Sequence, residues 1–136
     1  MNKVLIIEDE MITAENVQKA LALKHVVSDI AVNGVIGLEM FKKGDYDLVL
    51  LDLTMPEMNG DKVLMEMRQI DPFVDVIIYT AGYVFDELKA LANIGIDGYV
   101  NKGSEANLPD LIDMIMAKLA PLDEDGLEQL IQHSPG

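Results

Sequence analysis

Short runs of consecutive apolar residues alternate along this chain with longer segments whose apolar positions recur at helical spacing. The runs lie at Lys3–Ile7, around His25–Val32, and at Leu48–Leu51, Val74–Tyr79 and Gly98–Val100. Each has the length of a β-strand. Between and after them come the stripes Ala14, Val17, Ala20 and Leu21; Val35, Leu38 and Phe41; Val63, Leu64, Met67 and Ile70; Val84, Leu88, Leu91 and Ala92; and Leu108, Leu111, Ile112, Ile115 and Leu119. Apolar residues at such intervals line one side of an α-helix. The first, third and fourth runs are apolar throughout rather than alternating, as strands are when helices cover both faces of their sheet. Strand–helix units in series predict an α/β fold, a doubly wound five-stranded parallel sheet with right-handed crossovers. Turn-forming pairs fall at the joins: Asn33-Gly34, Gly44-Asp45, Asn59-Gly60 and Asp71-Pro72, with Gly95 before the last strand.

These units fill residues 1–120, so one domain is expected there. The remaining segment, 121–136, reads PLDEDGLEQLIQHSPG and is too short to be a domain. It is expected to be a short acidic tail, with no output domain. No apolar stretch reaches the length of a membrane span, and the first is soon interrupted by Glu8-Asp9-Glu10, unlike a signal peptide. A cytoplasmic location follows as an expectation. The chain has no cysteine, which removes disulfides, thiolate metal sites and thiol catalysis. Its formal net charge is −14, with a single arginine, Arg68, and no basic patch. Such a surface repels a phosphate backbone, so direct nucleic-acid binding is not expected.

Charge matters more locally than globally. In an open parallel sheet the residues just past the strand ends share one rim. Here Glu8 and Asp9 follow the first run, Asp52 the third, Thr80 the fourth and Lys102 the fifth. Taken singly, each is at home as a solvated charge, a helix cap or a β-favouring residue. Together they put three carboxylates, a hydroxyl and an ammonium at one edge. Carboxylates that close repel one another, and a hard divalent cation with oxygen ligands offsets that repulsion. Mg²⁺, or another such ion as Mn²⁺, is the expected cofactor. Asp9 and Asp52 are its expected direct ligands, Glu8 acts through water, and the backbone carbonyl of Thr54 completes the set. A carboxylate held beside a metal can attack phosphorus, so Asp52 is the candidate nucleophile for an aspartyl-phosphate. Lys102 would cover phosphoryl charge and Thr80 would donate a hydroxyl, while Ala81 and Gly82 leave the approach open.

The segments VLIIEDE, LVLLDLTMPEMNG, VIIYTAG and GYVNK carry a resemblance to the receiver domain of two-component response regulators, over residues 1 to about 120. The resemblance implies a flavodoxin-like sheet in the order 2-1-3-4-5, flanked by five helices. It implies that Asp52 is the phospho-acceptor, Glu8 and Asp9 the acidic pair, Thr80 and Tyr99 the switch residues, and Lys102 the phosphoryl-contacting lysine. It further implies a histidine kinase or histidine phosphotransfer protein as phosphodonor, and a downstream protein target on the surface of the fourth helix, fifth strand and fifth helix. Such a protein is a signalling switch and not a conventional enzyme. The pattern departs from the family at Gly103, where a proline usually follows the lysine. Three other readings compete. A Mg²⁺-dependent aspartyl-nucleophile phosphatase would carry a second aspartate at position 54, where Thr54 stands. A flavin carrier would not place Glu8-Asp9-Glu10 in its phosphate loop. An interaction module with the same fold would accept no phosphoryl group.

Overall fold

In a computed structural model, residues 2–55, 58–82, 85–103 and 107–120 are described, Phe85 by its backbone alone. The elements are β1 (Lys3–Ile7), α1 (Met11–Leu23), β2 (Val27–Ala31), α2 (Gly34–Lys43), β3 (Leu48–Leu51), α3 (Gly60–Ile70), β4 (Asp75–Thr80), α4 (Phe85–Ile94), β5 (Gly98–Asn101) and α5 (Asn107–Leu119). All strands pair in parallel, in the order β2-β1-β3-β4-β5. This is the doubly wound sheet read from the apolar periodicity.

The continuous apolar runs have a simple cause. Side chains alternate across a strand, and here each face meets a helix layer. Leu5, Ile7, Val49, Leu51, Val76 and Ile78 point into a core with α2, α3 and α4. Their neighbours Val4, Ile6, Leu48, Leu50, Ile77 and Tyr79 point into a second core with α1 and α5. At roughly 1.5–3 kcal/mol for each large side chain taken from water, these two layers are the main force holding the sheet between its helices.

Helix ends account for where the elements stop. Asn33 caps α2 by accepting a hydrogen bond from the Ile36 amide at 2.8 Å. The run around His25–Val32 is a strand only from Val27, because His25 closes α1. Its amide reaches Ala22 O at 3.0 Å and that of Val26 reaches Leu21 O at 3.0 Å, with His25 at φ 61°. That is a Schellman ending, with histidine in the left-handed position that glycine usually takes. Three stripe residues are exposed among those described, with Val35 at 41% and Ile70 at 44%. The buried positions of α2 are Gly34, which packs against Val63 of α3, Gly37, Leu38 and Phe41, and Gly37 lies so near β1 that a Cβ would lie 2.6 Å from Ile7 Cδ1. This close approach turns Val35 outward. Ile70 is the last residue of α3, past its buried positions Val63, Leu64 and Met67. Ala92 is also exposed, and Val84 lies outside the described residues. The segment 121–136 lies outside them too. Among the described residues, no helix is long and apolar enough to cross a membrane.

Candidate functional site

The parallel ladder runs one step beyond the strands at their C-terminal ends. The Glu8 amide donates to Ala31 O at 2.9 Å, that of Asp52 to Ile7 O at 3.0 Å, and that of Lys102 to Thr80 O at 3.1 Å. These bonds pin Glu8, Asp52 and Lys102 by their backbones to one rim. Thr80, the last residue of β4, pairs there with Asn101. The strand ends thus bring together the residues that the sequence separates by up to 94 positions.

Asp52 is the centre of the arrangement. It is 4% exposed, with both oxygens engaged. Oδ1 accepts from the Thr80 hydroxyl at 2.9 Å and from the Thr54 amide at 3.3 Å. Oδ2 lies 3.4 Å from Lys102 Nζ. Lys102 Nζ also donates to Glu8 Oε1, forming a bridge between the two acids. The Lys102–Gly103 peptide is trans, and the lysine still reaches both carboxylates without a proline behind it. Asp9 is exposed at the edge of the cluster, and Tyr99 is half-buried against the α2–α3–α4 core. Gly82 has φ 63°, and among the described residues, its chain neighbours aside, no atom lies within 4 Å of where its Cβ would be.

The loop after β3 is held by a close contact. Gly60, the first residue of α3, donates to Leu53 O at 3.1 Å. A Cβ at Gly60 would lie 2.6 Å from both Asp52 O and Leu53 Cα. Both obstacles are backbone, so any larger residue would displace the segment that carries Asp52.

One carboxylate oxygen from each of Glu8, Asp9 and Asp52 lies within 4.8 Å of the others. Glu8 Oε2 is buried without a hydrogen-bond partner. Burial, and then the neighbouring Asp52 carboxylate, push Glu8 up to about 8, against the opposing pull of Lys102. Burial alone would lower Lys102, but its contacts with Glu8 and Asp52 outweigh that and hold it above the ordinary lysine value. The cluster is short of positive charge even with Lys102 in place. A hard, oxygen-preferring cation fits this donor set and the orphaned oxygen.

A pH dependence follows. The folded state holds the Glu8 proton more tightly than the unfolded chain, so its contribution to stability is complete below 4.5 and is lost as pH rises towards 8. A divalent cation, if held at this cluster, would compete with the same proton. Mg²⁺ affinity measured by calorimetry is therefore expected to rise with pH and level off above about 8. Glu8→Gln should flatten the profile; a profile that is already flat in the unmodified protein would contradict this account.

Comparison with known proteins agrees with the geometry. The model of the response regulator receiver domain matches residues 4–116, and the chain belongs to that family. The transcriptional regulatory protein DltR of Streptococcus agalactiae is 38% identical over 106 residues, covering 77% of this chain and 47% of that protein. The chain thus spans about half the length of the transcriptional regulators it matches. The chemotaxis protein CheY of Halobacterium salinarum is 29% identical over 113 residues, covering 83% of this chain and 92% of that protein. Among solved structures, the response regulator TrrA of Thermotoga maritima, in complex with Mg²⁺ and BeF, superposes with a TM-score of 0.76 at 29% identity, covering 87% of this chain and 99% of that one. A CheY-like receiver domain from Methanospirillum hungatei shares the fold, with a TM-score of 0.82 at 24% identity, covering 88% and 94%. The chain therefore carries a receiver domain of the two-component response regulators, a class of signalling switches.

Sequence reasoning brought the rim residues together but missed two that the structure ties to their surroundings. Asn101 read only as the residue before the lysine, yet its Oδ1 accepts the Gly103 amide at 2.8 Å. The signal available was an asparagine two residues before a glycine at a strand end. Arg68 counted only as the chain's single arginine, and is a clamp between loops at the opposite edge of the sheet.

Proposed function

We propose that this chain is a phosphorylation-controlled switch in which Asp52 accepts a phosphoryl group from a phosphohistidine on a histidine kinase or a histidine phosphotransfer protein. The observation that carries the proposal is the setting of Asp52: a buried carboxylate with one oxygen held by Thr80 and the Thr54 amide, and the other facing Lys102. In the transfer, an Asp52 oxygen attacks phosphorus as the P–N bond breaks, and the departing imidazole keeps the bonding pair and takes up a proton. Lys102 offsets charge on the incoming group without moving far, since its ammonium already lies between Glu8 and Asp52. Thr80 shifts its hydrogen bond from the carboxylate to a phosphoryl oxygen, and Tyr99 repacks beside it. A divalent cation such as Mg²⁺ or Mn²⁺, held by Asp9, Asp52 and the Thr54 carbonyl with Glu8 through water, would supply further charge neutralisation.

The message leaves through protein contact. We assign the output to the surface of α4, β5 and α5, which Tyr99 borders, and a basic or neutral partner suits a chain of net charge −14. The same charge supports a protein that neither contacts nucleic acid directly nor sits on an anionic membrane. Residues 1–120 form the receiver unit in this reading, 121–136 an acidic extension, and the cytoplasm the compartment. The chain's own chemistry is limited to gaining and losing this phosphoryl group. Thr54 in place of a second acid argues against turnover of phosphate esters.

A phosphate mimic tests the switch. Adding Mg²⁺ and beryllium fluoride is expected to move the NMR resonances of Thr80, Tyr99 and α4, because only a ligand that favours one of two states shifts their populations. Asp52→Asn should abolish the response. An Asp52→Asn protein that responds as the unmodified one does would show the reading to be wrong.

A further inference from the structure

We infer that Asn101 is a positioning residue for Lys102, setting the direction in which the lysine leaves the sheet. The inference rests on the phospho-acceptor reading of the site. It begins with the hydrogen bonds around one peptide. The Lys102 amide forms the last rung of the sheet, to Thr80 O at 3.1 Å. The next amide, that of Gly103, has no strand opposite it, and Asn101 Oδ1 accepts it at 2.8 Å. This is an Asx turn, a ring closed by the side chain of one residue and the amide two further on. The residue enclosed by that ring is Lys102. Asn101 is anchored as well, its backbone carbonyl accepting from Asn107 Nδ2 at the start of α5.

The lysine needs such support. Its flexible stem has rotamer freedom to lose, and its ammonium must meet both Glu8 and Asp52 while the side chain is only 15% exposed. Locking the backbone at Lys102 removes part of that freedom before any phosphoryl group arrives. Asn101 itself is exposed, and its carboxamide oxygen is turned to Gly103 rather than to the acids. Gly103 completes the pair. A Cβ there would lie 3.0 Å from Asn101 Oδ1, and a proline would have no N–H to give. An Asx turn that merely ends a strand would look the same in the structure, so the distinction lies in coupling to Lys102.

A double-mutant cycle makes it, with labelling by acetyl phosphate in the presence of Mg²⁺ as one readout. The second is the NMR dispersion of the Lys102 side chain in the unphosphorylated protein. Asn101→Ala is expected to slow labelling roughly 3- to 10-fold, the kinetic equivalent of one hydrogen bond, and to collapse the Lys102 dispersion while Mg²⁺ affinity stays unchanged. Asn101→Asp keeps the acceptor oxygen and should restore both. In a Gly103→Pro background, where the amide is gone, Asn101→Ala should have no effect on either. An Asn101→Ala protein with an unchanged Lys102 signal, or an equal loss in both backgrounds, would overturn the inference. If the unmodified protein takes no label, the phospho-acceptor reading fails, and the Lys102 signal still decides the role of Asn101. Should Gly103→Pro not fold, the Ala and Asp variants at 101 decide it.

Discussion

Replacing Lys102 with alanine is expected to slow phosphoryl labelling about 100-fold, the usual loss when a preorganised charge is removed from a transferring group. Nζ is the positive charge that bridges Glu8 and Asp52, at 3% and 4% exposure among the most buried polar residues of the chain. Without it, two carboxylates face one another with no cation of the protein's own between them. The ground state suffers as well as the transfer, since an uncompensated buried charge is costly. Part of the loss will be masked, because Glu8 can keep a proton at neutral pH. The two effects separate by pH: the stability defect of Lys102→Ala should grow as pH rises towards 8. Lys102→Arg should restore only part of the rate, since a planar guanidinium does not replace a compact ammonium placed between two acids. Labelling of Lys102→Ala at the unmodified rate would remove the lysine from the mechanism.

The largest stability effect is expected at the opposite edge of the sheet, from Arg68→Ala. The Arg68 Nε donates to Gly95 O at 3.0 Å, one terminal nitrogen to Val74 O at 2.6 Å and Pro72 O at 3.2 Å, and the other to Asp97 Oδ2 at 3.1 Å. Asp97 Oδ2 also accepts the Val76 amide at 2.8 Å, so the end of α3, the start of β4 and the turn before β5 are tied through one guanidinium. Truncation leaves several part-buried carbonyls unsatisfied, at a cost of about 3 kcal/mol in total. For a domain of this size that lowers the melting midpoint by about 10 °C. Arg68→Lys should recover less than half, because an ammonium lacks the fork that reaches both sides. Phosphoryl labelling of the folded variant should be unchanged. A midpoint that does not move would show the clamp to be ornamental.

These two residues also show what sequence does and does not make legible. The strands were readable because both faces are covered, so each side chain of LVLL is buried and the run is unbroken. The rim was readable for a geometric reason: in a parallel sheet, strand ends fall on one edge whatever the loops between them do. Hence Glu8, Asp52, Thr80 and Lys102 converge, although nothing in their spacing says so. What was hidden depends on partners distant in sequence or on a few degrees of backbone. Val35 belongs to a helical stripe by spacing, yet Gly37 packing on Ile7 rotates it outward. His25 has the look of a strand residue until the left-handed turn closes α1 over it. Arg68 gives no sign of its role because four of its acceptors are backbone carbonyls, which every residue has. Gly103 read as the loss of a proline, whereas the structure shows a gained N–H, used by Asn101.

The central claim, that Asp52 carries the phosphoryl group, is tested most directly by its covalent product. The intact protein is incubated with Mg²⁺ and acetyl phosphate, and the modified peptide is located by mass spectrometry. The account predicts one hydroxylamine-labile phosphoryl group per chain, on the peptide that contains Asp52, and none in Asp52→Asn. Incorporation that persists in Asp52→Asn, or no incorporation into the folded, Mg²⁺-bound protein, would contradict it.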